Sequence, residues 1–242
     1  MRTRVLTLVA ALALAGTASG QTIDELVAKN LEAKGGVERL KAVKAMRISG
    51  TVSVAPGMEI PMTIMSERPN KLRQESSFQG QQTVVAFDGQ KAWTINPMMG
   101  ASTPREITGP QFDMLREQAD LDGPLVDYKA KGVTLELLGT EEVEGRKTHK
   151  LKVTRKSGQS QTLFLDAETG LEVKAVNEMP QGDVTLRVES TFSDYRTIEG
   201  IKMAHAIRQT ISGPASQTIT ITVNKAEILP DLEDSLFTMP SQ

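Results

Sequence analysis

The 242-residue chain contains no cysteine. Disulfides, thiolate nucleophiles and thiolate metal sites are thereby excluded, and stability has to come from burial. Histidine is scarce as well, His149 and His205 being the only two. His149 alternates with Leu151 and Val153, and His205 with Met203 and Ile207. That is the setting of a core histidine rather than of a ligand. A metal site needs three or four ligands, and no His-x-x-x-His or equivalent cluster is present, so no metal and no cofactor is expected. The chain also lacks a P-loop, a Gly-x-Gly-x-x-Gly turn and a Gly-x-Ser-x-Gly elbow. Its paired carboxylates, Glu141-Glu142 and Asp231…Asp234, fall in polar, turn-like stretches and read as solvated surface. No catalytic residue is assigned and the protein is read as a non-enzyme. A hydrolase using His149 or His205 is the reading these absences weaken most.

Charge of one sign is missing too: 28 basic residues face 30 acidic ones. Binders of nucleic acid need a basic patch, so no nucleic-acid partner is expected. Aromatic residues make up only 4% of the chain, whereas methionine is frequent at 11.

The first twenty residues have the layout of a secretory signal peptide. Arg2 and Arg4 supply a basic start, Val5 to Ala15 an apolar run interrupted only by Thr7, and Thr17-Ala18-Ser19-Gly20 small residues before a cut. Cleavage after Gly20 or after Ala18 fits this pattern. The run is too short to remain as a membrane span, and no later stretch approaches the roughly 18 apolar residues that a span requires. The mature chain is thus expected to be periplasmic, to carry no transmembrane segment, and, without a cysteine at its new N-terminus, to bear no lipid anchor. Losing Arg2 and Arg4 leaves 26 basic against 30 acidic residues, a net charge of −4. We read residues 21–242 as one domain, large enough to bury roughly 70% of its unfolded surface.

Thr22 and Glu25 form a capping box, and Ile23, Leu26, Val27 and Leu31 an apolar stripe that Gly35-Gly36 ends; this predicts a helix over 23–34. A helical turn at 37–43 follows. The period then changes to two: Met46, Ile48, Gly50, Val52 and Val54 face one way, and Met58, Ile60, Met62 and Ile64 resume the pattern after Pro56-Gly57. Further strands are read at 72–78, 83–87 and 91–95, the last entered through Asp88-Gly89. Residues 97–104 read as a loop, and Pro110, Phe112, Leu115 and Ala119 as a helix over 110–120. Strands then recur at 133–138, 147–155, 161–166, 171–179, 184–192, 202–211 and 217–228, separated by short Gly-containing turns. Regular short strands of this kind predict a meander that curls into a barrel or half-barrel.

Two segments carry a resemblance: Glu67-Arg68-Pro69-Asn70, and Phe87-Asp88-Gly89-Gln90-Lys91-Ala92-Trp93-Thr94-Ile95-Asn96-Pro97. In this order and spacing they resemble the LolA/LolB-like lipoprotein-sorting superfamily. Leu165 to Leu171, Asp194-Tyr195-Arg196 with Gly200-Ile201-Lys202, and the closing Leu236 to Pro240 add to it. The resemblance implies a mainly β fold, an incomplete antiparallel β-barrel with a helical lid over an apolar concavity that holds acyl chains. It also implies that Arg68 latches the lid, whose candidates are the helices at 23–34 and 110–120. The chain departs from the family in its length, its few aromatics, and Leu72 where phenylalanine is usual.

The function implied is that of an envelope carrier or receptor for acylated lipoproteins or lipids, with other envelope proteins as further partners. Met62, Ile64, Leu72, Trp93, Phe112 and Leu115 are the candidate cavity or lid residues, Trp93 being equally compatible with ordinary core. Either face of the sheet could be the one that lines the cavity. Methionine suits such a site because it repacks around variable chains. The alternative function is an envelope sensor or protein-interaction module that docks a polypeptide on the same concave sheet.

Overall fold

The computed structural model describes residues 21–181, 184–214 and 216–241. The expected signal peptide therefore lies outside the described residues. The fold is mainly β: thirteen antiparallel strands form one open sheet, and three α-helices accompany it.

Helix α1 (Ile23–Ala33) begins at the Thr22–Glu25 capping box, both halves of which are made. Helix α2 (Val37–Ala42) follows. A meander then runs through β1 (Ala45–Ala55), β2 (Met58–Glu67), β3 (Lys71–Phe78), β4 (Gln81–Phe87), β5 (Ala92–Asn96) and β6 (Ala101–Ile107). Helix α3 (Gly109–Gln118) and the segment up to residue 133 lead to the other edge of the sheet. From there a second meander returns through β7 (Thr134–Val143), β8 (Arg146–Thr154), β9 (Ser160–Asp166), β10 (Glu172–Gln181), β11 (Val184–Ile198), β12 (Ile201–Ser212) and β13 (Gln217–Leu229). Pairing of β1 with β13 joins the two halves, so the sheet order is β6-β5-β4-β3-β2-β1-β13-β12-β11-β10-β9-β8-β7.

Curvature shows in what the sheet brings together: Pro69 and Asn70 of the β2–β3 turn and Arg155 to Ser157 of the β8–β9 turn line one cleft. Thirteen strands at about 4.8 Å spacing would put the edges about 58 Å apart in a flat sheet. Residues 108–133 must join those edges, yet ten of them form α3, about 15 Å long, and others close tight turns. The sheet curls toward the helices, and β6 and β7 remain unpaired with each other. Of the barrel and half-barrel that the strand pattern allows, the result is the open half-barrel that the resemblance implies.

One strand differs from the sequence reading. Residues 97–104 form a 3-10 turn at Pro97–Met99 and then the start of β6. This strand is buried only at Ala101 and Ile107, so it shows no alternation, and its Pro104 is tolerated because an edge strand has a side without ladder bonds. Strand β11 also runs six residues past the predicted end at 192, to Ile198.

The two long helices pack on the same face of the sheet. Leu26, Val27 and Leu31 of α1 share a buried cluster with Leu151, Leu163 and Ala175, which lie opposite one another on β8, β9 and β10. Phe112, Leu115 and Ala119 of α3 share another with Ile64, Leu72 and Phe87 of β2, β3 and β4. The Phe87 and Phe112 rings meet edge to face at 5.6 Å. Buried polar contacts fix α1 further: Asn30 Nδ2 donates to Gly170 O at 2.9 Å, and the Lys202 N–H donates to Lys34 O at 2.9 Å.

Candidate functional site

Between the areas covered by α1 and α3 lies a stretch of the same face that no helix among the described residues covers. Ladder register sets its composition. Ile60, Val52, Ile221, Ile207 and Phe192 stand opposite one another on β2, β1, β13, β12 and β11, forming an apolar row across five strands. All five are half-buried rather than buried. Phe192 is the end of the row that touches the α1 cluster. Farther along the strands Ile211 lies opposite Val188, and Ile219 opposite Gln209, whose amide donates to Ser190 Oγ at 3.1 Å. Beside the row sits Gly50. A Cβ there would lie 2.3 Å from Thr222 O and 3.2 Å from Met62 Cε, so only glycine permits this approach of β1 to β13 at the bulge. The outcome is an open trough that is apolar along the row and mixed farther along the strands, where Gln209, Ser190, Gln217 and Asn177 share its floor.

Arg68 stands at the end of β2, where Pro69 follows. Its Nε donates to Val43 O at 2.6 Å, and its Nη2 to Leu40 O at 3.0 Å, both carbonyls at the C-terminal end of α2. The same guanidinium grips Asp122 through both carboxylate oxygens, at 2.8 and 2.5 Å. One side chain thus ties the sheet to α2 and to the crossover that follows α3. The planar fork of arginine suits this set of acceptors. Arg68 holds the Asp122 carboxyl below its usual pKa, outweighing the opposing effect of burial.

Other candidates from the sequence fall into three places. Ile64, Leu72, Phe112 and Leu115 meet in the α3 cluster, where Leu72 and Leu115 are closed off from solvent. Met62 is half-buried beside the trough. Trp93 is not brought together with these residues. It lies opposite Ala86 on β4, and Ala86 lies opposite Arg73 on β3, a row that points to the other face of the sheet. There the chain's C-terminal segment covers it: Trp93 Nε1 donates to Phe237 O at 2.7 Å, Met239 packs beside it, and Arg73 stacks over its ring.

Sequence reasoning missed Asp122 and the isoleucines of β12 and β13. Asp122 gave no signal, being one acid in a turn-rich stretch. The even spacing of Ile207 and Ile211, and of Ile219 and Ile221, was a signal that each pair shares a strand face, but it does not tell what covers that face.

A separate cleft of about 640 Å³ opens where the two halves of the sheet approach each other. Asn70, Arg116, Glu117, Lys131 and Arg155 are among the residues lining it. Its charges are largely paired, Arg155 with Glu117 and Lys131 with Asp120. It lies at the seam between the two halves of the sheet. His205 is buried, with Nδ1 3.1 Å from Met203 O, and His149 is partly buried, which lowers its pKa. Among the described residues no group of three or more histidine, aspartate or glutamate side chains is placed to hold a metal ion.

No protein-family model matches this chain, and neither does any curated protein. Solved structures do share its fold. A LolA superfamily protein from Nitrosomonas europaea superposes with a TM-score of 0.59 at 16% identity, over 86% of this chain and 96% of that one. A DUF1329 family protein from Desulfovibrio piger gives 0.58 at 15% identity, over 88% and 97%. A putative outer membrane lipoprotein-sorting protein domain from Vibrio parahaemolyticus gives 0.55 at 14%, over 87% and 97%. The LolA-like fold expected from the motifs around Arg68 and Trp93 is the fold found.

Proposed function

We propose that this protein is an envelope carrier or receptor that holds the acyl chains of a lipoprotein or lipid in the trough between α1 and α3. The observation carrying this reading is the row Ile60–Val52–Ile221–Ile207–Phe192, half-buried and uncovered in the middle of a curved sheet. Apolar surface on a concave face gains by covering, and an acyl chain gains about 0.8 kcal/mol for each CH₂ it buries. No reacting group is needed for such binding. Helices α1 and α3 form the lid and Arg68 its latch; Met62 lines the trough, while Ile64, Leu72, Phe112 and Leu115 seat α3. The N-terminal segment 1–20 directs the chain to the periplasm and is removed there.

Two aspartates placed in the row test this. The Ile207→Asp/Ile221→Asp protein should lose binding of a fluorescent fatty acid while its circular dichroism stays that of a β-sheet protein. Native mass spectrometry of the protein isolated from its own envelope should show adducts of lipid mass. Undiminished fatty-acid binding by the double variant, or a co-purifying polypeptide in place of lipid, would reject the carrier reading.

A further inference from the structure

Along the β6-to-β12 flank of the sheet the two strand ends differ in charge. Four hairpins that neighbour one another in the sheet, β5–β6, β3–β4, β1–β2 and β12–β13, turn at the same end of their strands; β10–β11 and β8–β9 turn at this end too, but their connections carry Asp183 and Arg155-Lys156, so the contrast belongs to the β6-to-β12 flank. The tips of the four are the sequences at 95–103, 77–83, 54–60 and 211–217. In these segments Glu59 is the only charged residue, in a chain that is 24% charged. Glu59 is paired with Ser53 and so lies in the row of the outer face. At the opposite end the β2–β3, β4–β5 and β11–β12 turns are charged, with Glu67-Arg68 and Lys71, Asp88 and Lys91, and Glu199 and Lys202.

The uncharged tips also present apolar side chains to solvent. Met58 is 41% exposed, Met98 58% and Met99 81%, and they are three of the five large hydrophobic residues exposed among those described. Met58 extends the inward-facing set of β2, Met62 and Ile60, to the hairpin tip. The exposed methionines therefore stand at the rim toward which the trough runs.

We propose that this row of hairpin tips docks on a lipid surface and so delivers the mouth of the trough to the membrane; the inference rests on the carrier reading of the trough. Charged groups carried past the headgroups to the acyl-chain boundary must be desolvated, and here three of the four tips carry none and the fourth only Glu59. Methionines on separate turns make a set of points rather than a continuous apolar patch. A fluid lipid surface accommodates points, whereas a protein partner would need a matched pocket for each. An amphiphile leaving the bilayer would meet Met58 and then Ile60 without passing through water.

Flotation with phosphatidylcholine vesicles tests this on protein produced from the full chain. The wild-type protein should float with neutral vesicles and remain bound at high salt. Met98→Glu/Met99→Glu should lower the partition coefficient about tenfold or more, since two carboxylates must then be desolvated at the interface. A Met99→Trp protein should be quenched by brominated lipid at the new tryptophan, while Trp93, only 1% exposed, serves as the unquenched internal reference. Absence of wild-type binding, equal binding by the glutamate variant, no quenching at position 99, or binding that needs anionic lipid and vanishes with salt would each overturn the proposal. Fatty-acid uptake without vesicles separates the two readings: it should be unchanged in the glutamate variant, and its absence in the wild type would remove the carrier reading while tip-dependent flotation still stood.

Discussion

Arg68 and Asp122 are 54 residues apart, yet they form a two-point ion pair at 2.8 and 2.5 Å. Because the same guanidinium also holds the last carbonyls of α2, the pair joins three parts of the chain at one end of the sheet. Neither partner is needed to build the β ladder.

Arg68→Leu should leave the sheet folded and speed the exchange of a bound acyl probe. Stopped-flow release at matched circular dichroism measures this. The loss of global stability should be smaller than the about 2–5 kcal/mol typical of truncating a large core side chain. Arg68→Lys should not restore slow exchange, because an ammonium cannot span the four acceptors in one plane. Equal release rates for wild type and Arg68→Leu would leave Arg68 without a latch role.

Acid should open the same contact. Asp122 has its native pKa lowered, chiefly by its hydrogen bonds with Arg68, from an ordinary value of 3.8. A carboxylate of this kind binds fewer protons folded than unfolded. Its contribution is fully present above 3.8 and is lost as pH falls through the lowered native value. Probe release by the wild type should thus accelerate below about pH 4, whereas Asp122→Asn should show little further change over the same range. A parallel acid response in both proteins would assign the effect to other carboxylates.

Trp93→Phe removes a buried hydrogen bond to Phe237 O, made at 2.7 Å. Thermal or denaturant unfolding should show a loss of about 1–3 kcal/mol, since the carbonyl is left without its partner. Fatty-acid affinity should not change, because Trp93 and the trough occupy opposite faces of the sheet. A clear fall in affinity at unchanged fold would bring Trp93 back to the ligand site.

Gly50→Ala should destabilise by about 1–3 kcal/mol or more, the range for overpacking. Its Cβ would stand 2.3 Å from the backbone oxygen of Thr222, an atom that cannot swing aside. The backbone itself is not in a glycine-only conformation there, so the cost is steric. Wild-type stability in urea would show that the β1–β13 bulge can relax.

Much of the fold was legible because apolar and polar residues alternate along several strands. In β1 the alternation groups Met46, Ile48, Gly50, Val52 and Val54 on one face, and the Thr22–Glu25 box marks the start of α1. Edge strand β6 was not legible, because burial at its two ends only leaves no period to detect. Trp93 was ambiguous for a different reason. An alternating strand shows which residues share a face, and says nothing of which face will be covered by a helix and which by the C-terminal segment.

Local patterning by itself determined that this chain makes a meander of antiparallel strands with a capped helix at its start, and that cysteine-dependent and histidine-cluster chemistry are absent. Those properties depend on residues a few positions apart. Only the tertiary structure decided that β1 pairs with β13, that Arg68 finds Asp122, and that the isoleucines of β12 and β13 remain uncovered. Each of these depends on how far the sheet curls before its edges are joined through α3, a sum over thirteen strands that no short stretch of sequence contains.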